Sequence, residues 1–422
     1  MRQIYIILAA AALAGAVSCS KVEADPSTSP DVKIGYLVAS YATQTKADDG
    51  GFLKEMEAFG ITSSDALFKS VAFINADDGN GSQAEPARFY AAATDEVETI
   101  KYNSTGKFWA PAGADYYWPK SPNSDLDFFS WFDLTENAST HVANATYASS
   151  TYTLAWTDDR IISLKDNVMY ADPVWKQKQN TNGTYKKDGV TEGVPTLFHH
   201  ALAQVRFQFK QATMSRVDSK DDTKSTFWVV KVKNLTIPAN ALRKNGTLSL
   251  TAAKSASWTT PANLIWGAAA TPAFWTTSDI FLANAVNATG IELTDTADTF
   301  SKDDQMTDEY ITVLPQQIGD GFLLNFDIEI ETKFGTTSGG ASSAAHVSTE
   351  TIHVKDFASG GALVKDSGIK LNLLTAIGSY WQMNKKYTYL FVIDPETTKI
   401  LYDPAVEAWA DDTSATQNIP NA

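Results

Sequence analysis

Most of the chain alternates hydrophobic and polar residues with the period of a β-strand. The segment FLLNFDIEIETKF, residues 322–334, is the clearest case, because its even positions are apolar and its odd positions are Asn, Asp and Glu from 325 to 331. Successive side chains of a strand point to opposite sides. One face would therefore cover a core and the other would meet water. The predicted core face carries Phe322, Leu324, Phe326, Ile328 and Ile330.

Other runs predict further strands. In TLFHHALAQVRFQFK, residues 196–210, His199 and His200 would lie on opposite faces of one strand, with His200 on the polar face. The segment 227–237 also alternates, and the runs 126–134 and 386–393 are apolar on both faces, as central sandwich strands are. The predicted core positions of 196–210 are Ala201, Ala203, Val205, Phe207 and Phe209.

Polar clusters such as ADDGNGSQAEP, RKNGTL and GTTSGGASS separate these runs. Asn-Gly and Asp-Gly pairs favour tight connections between strands, and no long stretch of the sequence combines a helical period with caps. The pattern predicts an all-β fold of antiparallel β-sandwiches. The polar stretch 176–193 is the predicted seam between two domains, at 47–192 and 193–397.

Candidate catalytic and metal-ligating residues are scattered. The five histidines, at 141, 199, 200, 346 and 353, have no His-x-x-x-His spacing. The loop NADDGNGS at 75–82 lacks the spaced acidic positions and closing Glu of a calcium loop, and STGK at 104–107 has no Lys-Thr-Gly partner. We predict no enzyme activity, no cofactor and no metal site.

Three of the 11 tryptophans, Trp109, Trp118 and Trp131, fall close together with Tyr116 and Tyr117 between them. Exposed aromatic rings can stack on sugars, but a sandwich core also uses large aromatic side chains. Because Trp131 lies in an apolar strand, core packing is favoured over a carbohydrate platform.

The only cysteine of the 422 residues, Cys19, lies where an export signal ends. Arg2 precedes an apolar run, 4–17, that is shorter than the about 20 residues of a membrane-spanning helix. The sequence AVSC at 16–19 resembles a bacterial lipobox, with Ala in place of the usual Leu. We predict a lipoprotein signal peptide at 1–18 and lipidation of Cys19; the alternative is a secreted protein with a stray cysteine.

The charge limits the partners. A formal net charge of −15 and a pI near 4.8 argue against nucleic acid and anionic lipid headgroups, because like charges repel. With no other cysteine the chain cannot form an internal disulfide, so its stability must come from packed cores. The predicted lipid would be the only membrane attachment, since no second apolar run reaches 18 residues.

Several short sequence segments, taken in their order along the chain, resemble those of a known family. After the lipobox come TQTKADD, YYWPKSPNSDLDFFSWF, DNVMYADPVW, FHHALAQVRFQF, KNGTLSL and EYITVLPQQ, and the chain closes with YTYLFVIDPETTKILYDPAVEAW. Together they resemble the Bacteroidetes fimbrillin-like family, which builds type V pili. The resemblance implies two transthyretin-like or Ig-like antiparallel β-sandwich domains in tandem, in a lipoprotein of the cell outer membrane that becomes part of a surface fimbrium.

The resemblance also implies maturation by a trypsin-like protease that removes the lipidated segment with its first strand. DVKIGYLVASYATQT predicts that strand, with Val32, Ile34, Tyr36 and Val38 on one face. Lys46 follows in a polar loop, a preferred kind of cleavage site, although the family more often has Arg there. The predicted lipidated pro-segment is 19–46, and the mature chain would begin at Ala47.

The C-terminal segment 398–422 is the predicted donor strand for the groove of a neighbouring subunit. Pro404 is expected to break it into two pieces. The alternative is that this segment is the last strand of its own domain. The candidate donor side chains are Ile400, Leu401, Tyr402, Val406 and Trp409.

Two functions remain open from the sequence. The first is a structural fimbrial subunit that polymerises by strand exchange with other subunits, of its own or a related kind, and attaches to a host or bacterial surface ligand. The second is a monomeric surface glycan-binding lipoprotein. A hydrolase lacks any paired-carboxylate or triad signature.

Overall fold

A computed structural model gives the fold of the chain. The residues that it describes are 33–40, 52–53, 56, 61–75, 86–90, 97–106, 108–119, 121, 123–134, 143–162, 166–177, 193–237, 239–275, 289–295, 298–300, 310–318, 323–340, 346–353, 369–370, 380–396 and 399–408.

The described residues confirm the predicted all-β class, since apart from a short 3-10 turn at Ala262–Leu264 the regular elements that we name are strands. In chain order these are β1 Tyr36–Ser40, β2 Leu67–Asn75, β3 Ala87–Arg88, β4 Glu98–Asn103, β5 Phe108–Pro111, β6 Asp125–Leu134, β7 Ala143–Ala148, β8 Thr151–Ile161, β9 Asn167–Ala171, β10 Val174–Gln177, β11 Val194–His200, β12 Ala203–Gln211, β13 Ser215–Val217, β14 Lys224–Thr236, β15 Asn245–Ala253, β16 Gly267–Ala268, β17 Ile291–Glu292, β18 Asp298–Phe300, β19 Ile311–Val313, β20 Gln316–Gln317, β21 Leu323–Thr336, β22 His346–His353, β23 Ile369–Lys370, β24 Tyr380–Trp381, β25 Lys385–Asp394 and β26 Lys399–Ala408.

The first sheet closes on itself. Its strands pair in the order β6, β9, β11, β1, β5, β4 and β2, and β2 pairs again with β6. We call this arrangement the N-terminal ring; β10 and β3 extend it beside β6 and β2. Closure leaves β1 with a partner on each side, β11 and β5.

The interior of the N-terminal ring is apolar and strongly aromatic. Phe52, from the segment before β2, stacks on Phe198 of β11 with 4.5 Å between ring centroids. Phe68 of β2 makes an edge contact with Tyr36 of β1 at 5.4 Å. The core therefore joins β1 to strands on both sides of the ring.

A second sheet, in the order β16-β15-β8-β7, packs on the outside of the ring. Phe129 of β6 stacks on Tyr152 of β8 with 4.6 Å between centroids. Trp156 of β8 and Trp266 lie deeper in the same cluster, and both are buried. Strands of the N-terminal ring thus pack on both faces, one against the core inside the ring and the other against the core shared with the second sheet.

The C-terminal part is a two-sheet sandwich. One sheet contains β18, β12, β25 and β26, with β19 beside β12, and the other contains β13, β14, β21 and β22. Phe209 of β12 meets Phe326 of β21 edge to face at 5.0 Å between centroids. The alternating apolar faces of β12, β14, β21 and β25 fill the space between the sheets.

The two segments with clear alternation, 322–334 and 196–210, form different numbers of strands. In β21, Leu324, Phe326, Ile328 and Ile330 are buried as predicted. The segment 196–210 is two strands, because the chain leaves the N-terminal ring at Ala201 and Leu202 and enters the C-terminal sandwich as β12.

The placement of His200 on a polar face was wrong. Its side chain is 4% exposed, and its Nδ1 lies 3.1 Å from Oδ1 of Asn167. The break at Ala201 and Leu202 gives β11 its own surroundings, and a buried imidazole is tolerated there because it has a hydrogen-bond partner. His199, as predicted, lies on the other face, 16% exposed beside Asp172.

Strand pairing crosses the predicted seam. β11 follows residue 193 in sequence but pairs with β1 and β9 in the N-terminal ring. β8 pairs with β15 on one side and with β7 on the other, so strands from both sides of the seam share one sheet. The division at 192–193 stays a prediction, and any separation of the two parts there would break these sheet contacts.

Candidate functional site

The first strand is the feature that stands apart from an ordinary sandwich core. Ile34, Tyr36 and Val38 are 2%, 1% and 2% exposed, while Leu37 is 40% exposed. The described part of the predicted strand therefore has the alternation that the sequence indicates, with its apolar face inside the N-terminal ring; Val32 lies outside the described residues.

β1 lies close against β11, to which it is parallel. The pairing runs from Tyr36 opposite Val194 to Ser40 opposite Phe198, and Val194 N donates to Gly35 O at 2.9 Å. A Cβ at Gly193 would lie 2.6 Å from the backbone carbon of Tyr36. Glycine is therefore required at 193, because any side chain there would push β1 away.

A hydroxyl cluster lies beneath the centre of β1. The Tyr36 hydroxyl donates to Ser70 Oγ at 3.0 Å, and Ser130 Oγ donates to the same atom at 2.9 Å. Ser70 is 0% exposed and Ser130 is 2% exposed. Burial raises the pKa of Tyr36 well above its usual value, so its hydroxyl stays protonated and available as a donor.

The start of β1 is held at the surface. Ile34 N donates to Tyr116 O at 2.8 Å, and Lys33 Nζ lies 2.6 Å from Asp115 Oδ2 with both side chains more than half exposed. An exposed ion pair of this kind contributes little to stability. The burial of the apolar face, rather than this ion pair, fixes the strand.

Three predicted processing residues lie outside the described residues. Cys19, Lys46 and Ala47 belong to the segments 1–32 and 41–51. Their roles as lipidation site and cleavage site stay predictions. The structure describes β1 up to Ser40, so the predicted cut lies a few residues beyond its end.

The predicted donor segment forms the last strand of its own sheet in this chain. β26 pairs with β25 from Lys399 opposite Asp394 to Ala408 opposite Lys385, without a register shift. Ile400 and Val406 are partly buried against the C-terminal core. The pairing describes the free chain, and the donor role in an assembly, including that of Leu401, Tyr402 and Trp409, stays a prediction.

The expected break at Pro404 was wrong. Pro404 pairs with Tyr389 inside an uninterrupted ladder. In the described residues β26 is an edge strand with β25 on one side. An edge tolerates proline because a nitrogen that points away from the sheet owes it no hydrogen bond.

The three tryptophans of the aromatic cluster are core, as favoured from the sequence, whereas Tyr117 is exposed. Trp109, Trp118 and Trp131 are 1%, 3% and 2% exposed, so none of these rings offers a face to a sugar. Among the described residues no group of three His, Cys, Asp or Glu side chains could hold a metal ion. The described part also has no helix with the length and hydropathy needed to span a membrane.

Sequence reasoning missed the polar residues of the site. Ser70 lies in the otherwise apolar run LFKSVAFIN, and Ser130 lies in DLDFFSWFDL. A serine within a two-sided apolar strand was the available signal, because a buried hydroxyl needs a partner. Gly193 ended the polar seam and gave no sign of its contact with β1.

Comparison with known proteins gives distant structural neighbours. No protein-family profile matches the chain, and no curated protein matches it. A fimbrial protein from Bacteroides vulgatus is 14% identical, with a TM-score of 0.47 and a match over 90% of this chain and 99% of that one. A proposed cell adhesion protein from Bacteroides uniformis is 14% identical, with a TM-score of 0.30 and a match over 90% of this chain and 99% of that one. A proposed adhesin from Bacteroides thetaiotaomicron is 9% identical, with a TM-score of 0.31 and a match over 90% of this chain and 98% of that one.

These neighbours are fimbrial and cell adhesion proteins of Bacteroides, the kind of protein that the sequence resembles. Identities of 14% or less and TM-scores below 0.5 describe a distant likeness. The functional proposal below therefore rests on the geometry around β1.

Proposed function

We propose that the chain is a structural subunit of a surface fimbrium, and that proteolysis after Lys46 releases β1 so that a strand of another subunit can take its place. The lipidated precursor would be held at the outer membrane through Cys19. The partners are other copies or related subunits, a trypsin-like protease and a host or bacterial surface ligand. No catalytic role is proposed.

The observation that carries this proposal is the position of β1. It has partners on both sides in the N-terminal ring, and its apolar face is buried. Yet it lies at the N-terminal end of the described chain, and one predicted cut follows it. A single cleavage at the predicted site would therefore separate a core strand from the strands that follow it.

A strand that replaces β1 would recover the free energy of burial that β1 now provides. Burying Ile34, Tyr36 and Val38 stabilises the chain by roughly 5–9 kcal/mol, at about 1.5–3 kcal/mol for each side chain. Loss of β1 would expose the facing core and leave the edges of β11 and β5 unpaired. A strand from a neighbour that restored both the burial and the ladder would recover much of this free energy.

β26 is the proposed donor. It forms one edge of its sheet, and its side chains at Ile400 and Val406 are only partly buried in the C-terminal sandwich of its own chain. Leaving β25 thus gives up less burial than a central strand would. The cost of moving it is a ladder of main-chain hydrogen bonds with β25, which pairing with β11 and β5 of a neighbour would replace.

Trypsin treatment of the unlipidated chain that begins at Ser20 tests the proposal. We expect a ladder of multimers by gel electrophoresis, and a processed subunit whose N-terminal sequence begins at Ala47. Lys46→Gln should block the ladder, because trypsin needs a basic residue. Lys46→Arg is the matched control and should polymerise as the wild type does. Polymer in which residues 31–45 persist would contradict the proposal.

A further inference from the structure

The hydroxyl cluster under β1 has a role that the exchange of strands alone does not require. We infer that Ser70 and Ser130 form a selective site for a tyrosine in whichever strand fills the β1 position, and that the tyrosine received in an assembly is Tyr402 from a second copy of this chain. The inference rests on the proposed function, because it assumes that β1 is replaced.

The geometry of the site supports selection. Ser70 Oγ accepts from both Tyr36 and Ser130, at 3.0 and 2.9 Å, and lies 3.4 Å from the carbonyl oxygen of Phe129 as a donor. Both serines are buried, so water would not readily replace a missing hydroxyl. A strand with an apolar residue at this position would lack the buried hydrogen bond from the tyrosine hydroxyl, although Ser70 would keep its bonds to Ser130 and Phe129. The lost hydrogen bond would weaken binding of that strand.

The last strand repeats the pattern of the first. β1 and the residue pair before it read Ile34-Gly35-Tyr36-Leu37-Val38, and β26 reads Ile400-Leu401-Tyr402-Asp403-Pro404. Placed in the same direction, the two segments share Ile-x-Tyr. Ile400 would then occupy the place of Ile34, and Tyr402 would reach the serines in the place of Tyr36.

Two of the three positions that differ also fit this register, whereas the third puts Pro404, which has no N–H, at the buried position of Val38 opposite Thr196. Leu37 is 40% exposed, so Asp403 in its place would meet water. Gly35 lines a surface cleft together with Tyr102, Phe108 and Pro111. Leu401 in the place of Gly35 would put an apolar side chain beside these three residues, in a cleft that Lys101, Asn103 and Asp115 also line.

A labelled peptide measures the selection directly. The peptide ILYDPAVEAWAD, residues 400–411, contains no Lys or Arg and survives trypsin. Added in excess while the chain that begins at Ser20 is processed, it should be captured in the β1 position. We expect the same peptide with Tyr402→Phe to be captured roughly 3- to 10-fold more weakly, the range of one lost hydrogen bond.

The acceptor variant locates the effect. With Ser70→Ala in the protein, the two peptides should be captured equally, because the acceptor of the tyrosine hydroxyl is gone. Ser70→Cys, whose thiol is only a weak acceptor, is the second variant if Ser70→Ala does not fold. Equal capture by the wild-type protein overturns the tyrosine selection while leaving strand exchange intact. An undiminished difference in the Ser70 variant also overturns it. Capture of neither peptide by wild-type protein contradicts the proposed function itself, and the selection with it.

Discussion

Asp127 of β6 is a residue at which three polar contacts of the N-terminal ring meet. Its Oδ2 accepts from Asn75 Nδ2 at 2.8 Å and from Tyr152 OH at 2.9 Å. Its Oδ1 accepts from the backbone N of Lys176 at 2.9 Å. Since these partners belong to β2, β8 and β10, one carboxylate joins the ring to the sheet outside it. Burial, and then the nearby Asp127 charge, raise the pKa of Tyr152.

Asp127→Ala should lower the free energy of unfolding by about 3 kcal/mol, because it leaves Asn75 and Tyr152 with unpaired buried donors. Urea unfolding followed by tryptophan fluorescence would measure the loss. Asp115→Ala is the control, since Asp115 makes an exposed ion pair and should cost less than about 1 kcal/mol. Equal losses for the two variants would show that the network around Asp127 contributes little.

Gly193→Ala should loosen β1 without altering any core side chain. The added Cβ would meet the Tyr36 backbone at 2.6 Å, so the strand must shift away from β11. Trypsin should then release the first segment faster than from the wild type. Gly113→Ala is the comparison variant, because its Cβ would be nearest to the Glu98 carboxylate at 3.2 Å, which can move. Release at the wild-type rate in Gly193→Ala would argue against a tight β1–β11 contact.

At the level of elements, the sequence predicted individual strands better than their partners. The alternation of β21 and the apolar face of β1 follow from period-two burial, which is a local property. The split between β11 and β12 has no such signal, because Ala201 and Leu202 look like two more core positions. The parallel pairing of β1 with β11 depends on residues far apart in sequence, which no local pattern reports.

The same limit applies to the candidate site. Ile34, Tyr36 and Val38 were predicted to share a face from spacing alone. Ser70 and Ser130 come from β2 and β6, and only the pairing of these two strands, which places Ser70 opposite Ser130, brings their hydroxyls beneath Tyr36. A buried cluster built by strand register is invisible until that register is known.

Deleting residues 398–422 tests the last strand as an element. Under the donor role, the truncated chain should be cleaved at Lys46 yet fail to form multimers with copies of itself. It should still accept the 400–411 peptide, because its own ring is intact. The fold can be checked by circular dichroism, with some loss of stability expected because Ile400 and Val406 pack against the core. Undiminished polymer from the truncated chain would refute the donor role.

At the scale of the whole molecule, attachment to the membrane is predicted to depend on one side chain. Cys19→Ala should leave the precursor unlipidated, and it should move from the outer-membrane fraction to the periplasm or inner membrane. Stable anchoring needs more than one acyl chain, and the predicted lipidation of Cys19 would provide two or three. Metabolic labelling with a fatty acid is the measurement. Label that still enters the Cys19→Ala protein would show that the anchor lies elsewhere.

The parallel pairing of β1 with β11 also sets an order of events during synthesis. Tyr36 pairs with Val194, and all of β2 to β10 lies between them in the chain. The first strand to leave the ribosome must therefore wait for a late partner, and closing such a long loop is slow. Until then β2, β4, β5, β6 and β9 can assemble around an empty slot. The newly made subunit would thus pass through an open form of the ring that lacks the β1–β11 pair. A neighbouring strand that binds this open form would compete with β1 before the protein has finished folding.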